Sequence, residues 1–284
     1  MIHLHKKYFS GPLAIVVFLL TLVFPLVLPA QNALRHEPNS AYQAGEFLKF
    51  RVYYHSLVTG NLTAGYITFD VKDEIKEIYD RETMHVIARG ITSKGFGWFF
   101  KVDDRYETYI DTRSLAPWKA VRRVNEGGYT INQDYFFDQN RAVGFLRNNK
   151  SEVRKEVKTK QYVQDILSIF YYARNFDYGN AREGDIYNVD FMIDDTTYTA
   201  RIQYGGKEEI STRLGKFRCI KLTPLLDIKG VFDKEDPMVL YVTDDKNRVP
   251  LFGESEVSVG SVRIELMEFE GLRNYFSSAI EWND

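Results

Sequence analysis

From Gly45 onward, apolar and polar side chains alternate with a period of two. That pattern suits half-buried β-strands and is wrong for packed amphipathic helices. In FLKFRVYYH, Leu48, Phe50, Val52 and Tyr54 face one way; Lys49, Arg51, Tyr53 and His55 face the other. In the next segment Thr63, Gly65, Ile67, Phe69 and Val71 share a side. The pattern returns at Met84, Val86 and Ala88, at Asp104, Tyr106, Thr108 and Ile110, and at Trp118, Ala120, Arg122 and Val124. After the Gly127-Gly128 turn come Tyr129, Ile131, Gln133, Tyr135 and Phe137. Prolines 117, 224, 237 and 250 sit at junctions, where a strand tolerates a missing N–H.

One segment breaks the alternation. In QYVQDILSIFYYARNF, residues 161–176, Val163, Ile166, Leu167, Phe170 and Ala173 recur at helical spacing, and Asn175 and Gly179 supply a stop. Strands resume with Tyr187, Val189, Phe191 and Ile193, and continue through Val262, Ile264 and Leu266. The expected fold is mainly β: a strongly curved antiparallel sheet, half-barrel or barrel-like, of about 12–13 strands. Residues 161–176 are its one principal helix.

Residues 1–30 read as a secretory signal peptide. His3, His5, Lys6 and Lys7 form a basic start, and Leu13 to Leu28 is an uncharged apolar run. That run is about 16 residues, short of the roughly 20 that span a bilayer. Cleavage is expected after Ala30. No cysteine follows to carry a lipid anchor. The mature chain is therefore expected to be exported. Residues 31–44 are expected to be a polar leader, 45–272 a single β-rich domain, and 273–284 a C-terminal tail.

Charge and cysteine content exclude some functions. Two of the 37 basic residues and no acid fall in the first 30, so residues 31–284 carry 35 basic against 39 acidic side chains. A general nucleic-acid binder needs a basic footprint, and this net negative balance disfavours one. The single cysteine, Cys219, excludes an internal disulfide. Beyond the signal, His36, His55 and His85 stand singly, so neither a metal nor another cofactor is expected.

The ordered motifs GEFLKFRVYYHSLVTGNLTAG, KVDDRYETYID, LAPWKAVRRVNEGGY, QDILSIFYYAR, LGKFRCIKLTP and VTDDKNRVP resemble an exported bacterial family known as domain of unknown function 3108. The resemblance covers roughly residues 44–270. It implies a predominantly antiparallel β protein of the Gram-negative envelope, with the periplasm as the expected compartment, and supplies no activity. A more distant likeness of architecture is to the half-barrel lipoprotein carriers of the periplasm.

Candidate sites follow from residue types. ITSKGFGWFFKV places Phe96, Trp98, Phe99 and Phe100 within five positions, beside Gly95 and Gly97. Four aromatics so close cannot all face one side of a strand. They suit the rim of an apolar cavity, with Tyr171 and Tyr172 as contacts on the covering helix. The leading expectation is a non-catalytic protein that binds a lipid, an amphiphile, an envelope glycan or a partner in the sheet's concavity. The rival is a carboxylate-dependent glycan hydrolase. It would draw a converging pair from Asp103, Asp104, Glu107, Asp244 and Asp245. A third reading is a structural interaction module. The basic stretch 147–160 reads as a lysine-guarded edge strand, with contact to an anionic lipid headgroup as its alternative.

Overall fold

The computed structural model describes residues 34–283 except Thr59, Phe99, residues 226–237 and Ser258. The signal-like segment therefore lies outside the described residues. Fifteen strands form one antiparallel sheet. The first half comprises β1 (Phe47–Ser56), β2 (Gly60–Ile78), β3 (Arg81–Thr92), β4 (Asp103–Asp111), β5 (Pro117–Glu126), β6 (Tyr129–Asp138), β7 (Val143–Asn148) and β8 (Arg154–Lys158). The second half comprises β9 (Ile186–Ile193), β10 (Thr196–Thr212), β11 (Gly215–Leu225), β12 (Val239–Thr243), β13 (Pro250–Glu256), β14 (Ser261–Glu270) and β15 (Ala279–Trp282). Each half is a run of neighbouring hairpins, joined where β1 pairs with β14. The path runs from β8 through β1 and β14 to β9, with β15 added against β11.

The sheet curls but does not close. Its terminal strands, β8 and β9, share no hydrogen-bonded ladder. Gln164 bridges the gap instead. Its N–H donates to the Asp190 carbonyl at 2.8 Å, and its carbonyl accepts from Met192 N–H at 2.8 Å. Lys155 of β8 pairs with Asp195 beyond β9, and Lys160 pairs with Asp190 at 2.8 Å. Bulges bend the long strands, between Val71 and Ile75 in β2 and between Tyr204 and Lys207 in β10.

The expected faces point inward. Met84, Val86, Ala88, Ile110, Ala120, Val124, Tyr135 and Phe137 are buried. The outer face is not wholly wet: Tyr53 is buried there, under the Arg51 guanidinium 4.1 Å from its ring. Strand β11 serves two cores, Phe217 and Cys219 in one, Ile220 and Leu222 in the other.

The helix is much shorter than its periodicity predicts. Of residues 161–176, only α1 (Ser168–Ala173) is helical. Tyr162 takes a left-handed φ of 65°, and Gln164 is spent on the sheet bridge. Asp165 then turns the chain. Its Oδ1 accepts from Leu167 N–H at 2.8 Å and Ser168 N–H at 3.0 Å, while Ser168 Oγ accepts from Asp165 N–H at 2.8 Å. This reciprocal pair satisfies donors that a helix start leaves open.

Both polar ends of the chain are also built in. Ala41 and Tyr42, expected in a leader, are fully buried, with the Tyr42 ring edge-on to Tyr171 at 4.7 Å. Phe276, expected in a tail, packs on Phe217 at 5.6 Å, and β15 pairs with β11. In each case an aromatic ring anchors a segment whose composition is otherwise polar.

Candidate functional site: two apolar cavities inside the curved sheet

Helix α1 lies across the concave face and divides it. On one side is a cavity of about 410 Å³, lined by Val52, Gly65, Ile67, Ala88, Gly90 and Ile91 on β1–β3, by Phe96, Phe100 and Val102 from the β3–β4 connection, and by Ile166 and Leu167. On the other side is a cavity of about 320 Å³, lined by Phe50, Phe170, Ile202, Leu222, Leu240, Phe252 and others. Phe69 lines both. Its ring stacks on Phe170 at 4.6 Å, and this pair forms the partition. Volumes of this size are typical of small-ligand sites.

Period-two alternation puts these side chains in one space. Gly65, Ile67 and Phe69 follow one another on the inner face of β2, and Ala88 and Gly90 face them from β3. Gly65 cannot be larger, because a Cβ there would lie 2.3 Å from the Ile91 carbonyl oxygen. Gly90 differs: the nearest atom to a Cβ is 3.9 Å away, so its position is open. The first cavity reaches solvent, since its lining residues Ile166 and Phe100 are exposed.

One corner of the first cavity is polar. Asp104 and Tyr106 face inward from β4. Asp104 accepts from Asn125 N–H at 2.8 Å. Burial and the adjacent Asp104 carboxyl hold Glu126 above the ordinary carboxylate range. Burial raises the Tyr106 phenol, against the pull of Arg122. Arg122 in turn donates to Asp194 at 3.0 Å, and Gln133 Nε2 donates to the same oxygen at 3.1 Å. This line of polar groups runs from the half-buried Tyr106 at the cavity to the exposed Asp194 at the gap between the sheet's ends.

The expected contact residues divide. Phe96 and Phe100 line the first cavity. Trp98 is 85% exposed at the tip of the same connection, and Phe99 lies outside the described residues. Tyr171 is fully buried against Tyr42 and Phe69 and lines neither cavity. Tyr172 accepts a hydrogen bond from Arg35 at 2.9 Å.

The five carboxylates are not brought together. Asp103 pairs with Arg89 at 3.1 Å on the outer face. Asp104 points inward. Glu107 points outward between His85 at 2.7 Å and Arg105 at 2.8 Å. Burial would raise its carboxyl, but these two partners hold it below the usual range. Asp244 pairs with Lys207, and Asp245 shapes the β12–β13 turn by accepting from Asn247 N–H. That turn lies at the opposite end of the sheet from Asp103 and Asp104. Cys219 is buried, and burial with the nearby Asp244, Asp245 and Glu208 pushes its thiol up to about 12. A thiol that stays protonated is a poor nucleophile. Among the described residues no three metal-ligating side chains converge.

Sequence reasoning missed most of the lining. Val52, Ile67, Phe69 and Ala88 fall on the expected faces of their strands and Gly90 was not singled out, but alternation does not say whether a face meets core or empty space. The second cavity, drawn from β1, β2, α1 and β10–β14, had no local signal.

No curated protein matches this chain. A β-barrel-like protein of a domain of unknown function, DUF1849, from Brucella abortus is similar over 81% of this chain and 99% of its own, at 10% identity and a TM-score of 0.53. An exported Bacteroides fragilis protein with YmcC-like fold aligns over 84% of this chain and 99% of its own, at 10% identity and a TM-score of 0.34. A Parabacteroides distasonis protein described as a lipoprotein aligns over 84% of this chain and 99% of its own, at 12% identity and a TM-score of 0.35. The Brucella likeness concerns the fold. The family model described as protein of unknown function DUF3108 matches residues 49–267, most of the strand-forming chain, and the protein belongs to that family.

Proposed function

We propose that this is an exported envelope protein that binds an apolar or amphiphilic molecule in the concavity of its sheet. The observation that carries this reading is the pair of apolar cavities, about 410 and 320 Å³, on either side of the Phe69–Phe170 stack. A filled core would be cheaper, because empty apolar volume forfeits packing contacts. The ligand's apolar body lies against Ile67, Ala88 and Leu167, with Phe96 and Phe100 at the rim. Its polar end meets Asp104 and Tyr106. Export rests on the basic-then-apolar pattern of residues 1–30. Native mass spectrometry of protein purified from its own host tests the reading. A co-purified species lost on partial delipidation is expected. Protein that is always empty, and takes up no lipid or detergent-like amphiphile on incubation, would overturn it.

A further inference from the structure

Three neighbouring hairpin tips at one end of the sheet, β1–β2, β3–β4 and β13–β14, are apolar where tips are usually polar. The β1–β2 turn carries Leu57 and Val58, 100% and 91% exposed. The β13–β14 turn beside it carries exposed Val259, and the β3–β4 connection carries exposed Trp98 and Phe100. These tips are tied into one rim. Tyr54 Oη donates to the Val259 carbonyl. Ser93 Oγ donates to the Thr63 carbonyl at 2.8 Å, and Gly127 N–H donates to the Lys101 carbonyl at 2.9 Å. Gly127 also leaves room for the Phe100 ring, since a Cβ there would lie 2.6 Å from it.

The β3–β4 connection is positively charged. From Ser93 to Val102 there is no acid, and exposed Lys94 and Lys101 bracket the aromatics. Exposed Lys150 stands on the β7–β8 turn at the same end. The nearby acids Asp103, Asp194 and Asp195 are each paired, with Arg89, Arg122 and Lys155. Glu126 is half-buried where it bridges to Val102, and Glu152 and Glu256 are exposed, on the β7–β8 turn and at the end of β13. Aromatic and aliphatic tips flanked by lysines are how a folded protein settles into the interface of an anionic bilayer. Each lysine near such a surface strengthens partitioning about fivefold.

We propose that this rim docks on an anionic lipid bilayer, with Trp98 and Phe100 entering the interface and Lys94 and Lys101 on the headgroups. The mouth of the first cavity, framed by Phe96 and Phe100, then faces the membrane. The docking stands on the exposed tips and their charge, independently of what the cavities hold.

Trp98 is the tryptophan at this rim: Trp118 is buried and donates to Asp111, and the half-exposed Trp282 sits on β15 against Gly215, at the opposite end of the sheet, so subtracting Trp98→Phe isolates the rim signal. The emission of the full chain, minus that of Trp98→Phe, is followed as brominated-lipid vesicles are added. The vesicles are phosphatidylcholine, with or without one-quarter phosphatidylglycerol. The expected result is quenching of the Trp98 signal by the anionic vesicles, weakened at high salt and at least tenfold weaker in Lys94→Gln/Lys101→Gln. A Trp98 signal that no vesicle changes would overturn the proposal. So would one that shifts with protein concentration alone, which marks a contact between copies. In Gly90→Leu, which fills the first cavity, the quenching is expected to persist; its loss would overturn the independence of the two sites.

Discussion

The two ends of the sheet start from the same hairpins and are finished in opposite ways. At the end that holds the β12–β13 turn, four segments close the structure with buried polar contacts. Arg174 donates to Glu46 at 2.6 and 2.8 Å, and its Nε donates to the Asn247 carbonyl at 2.9 Å. Asn247 exchanges hydrogen bonds with Asn274, and Asn274 reaches the Ser40 carbonyl at 2.9 Å. At the other end, apolar side chains stand in solvent around the mouth of a cavity. A closed end of this kind fixes the curvature, which lets the open end carry apolar surface that stability does not require.

The largest expected difference between the ends is in stability. Glu46 and Arg174 are 0% and 3% exposed as side chains, so removing one partner strands a buried charge. Glu46→Ala should cost about 3–5 kcal/mol in urea denaturation. Replacing both residues with methionine should recover much of that loss. Trp98→Ser, at the open end, should change stability by no more than about 0.5 kcal/mol. Equal costs at the two ends would break the comparison.

The partition comes next. Phe170→Ala removes one half of the stack with Phe69 and should cost about 3 kcal/mol. It should also join the two cavities, so that longer acyl chains bind better than in the wild type. A chain-length preference that does not move would show that the cavities are not separated by this pair.

A pH effect belongs to the closed end. Burial would raise the Asp111 carboxyl, but the hydrogen bond from Arg81 at 2.6 Å, with those from Ser114 and Arg113 N–H, holds it below the ordinary range. The stability it contributes is therefore present above the unfolded value, about 3.9, and is lost as pH falls through the lower folded value. Asp111→Asn should flatten that acid limb, measured as the unfolding midpoint against pH. A limb of unchanged slope would assign it to other carboxylates.

What was legible in the sequence is the sidedness of strands. Ile67, Phe69 and Val71 were readable as one inner face because a strand's side chains alternate by geometry alone. The helix was half legible. Val163, Ile166, Leu167 and Phe170 have helical spacing, but Gln164 gains more by bridging to β9, and Asp165 gains more as a cap. Tertiary partners outweighed local propensity there. The pairing of Glu46 with Arg174 spans 128 positions and leaves no local mark. Nor does the difference between a cavity and a core, since both are written with the same apolar residues.

The smallest structural change offers the sharpest test. Gly90 lines the first cavity and has space for a side chain, so Gly90→Leu should fold normally, within about 1 kcal/mol of the wild type. The measurement is a titration with the neutral apolar probe N-phenyl-1-naphthylamine. The wild type should take up the probe with enhanced emission. Gly90→Leu should lose the component that belongs to the first cavity, and adding Ala173→Leu should remove the component of the second. No uptake by the wild type, or uptake untouched by both substitutions, would contradict a ligand-holding concavity.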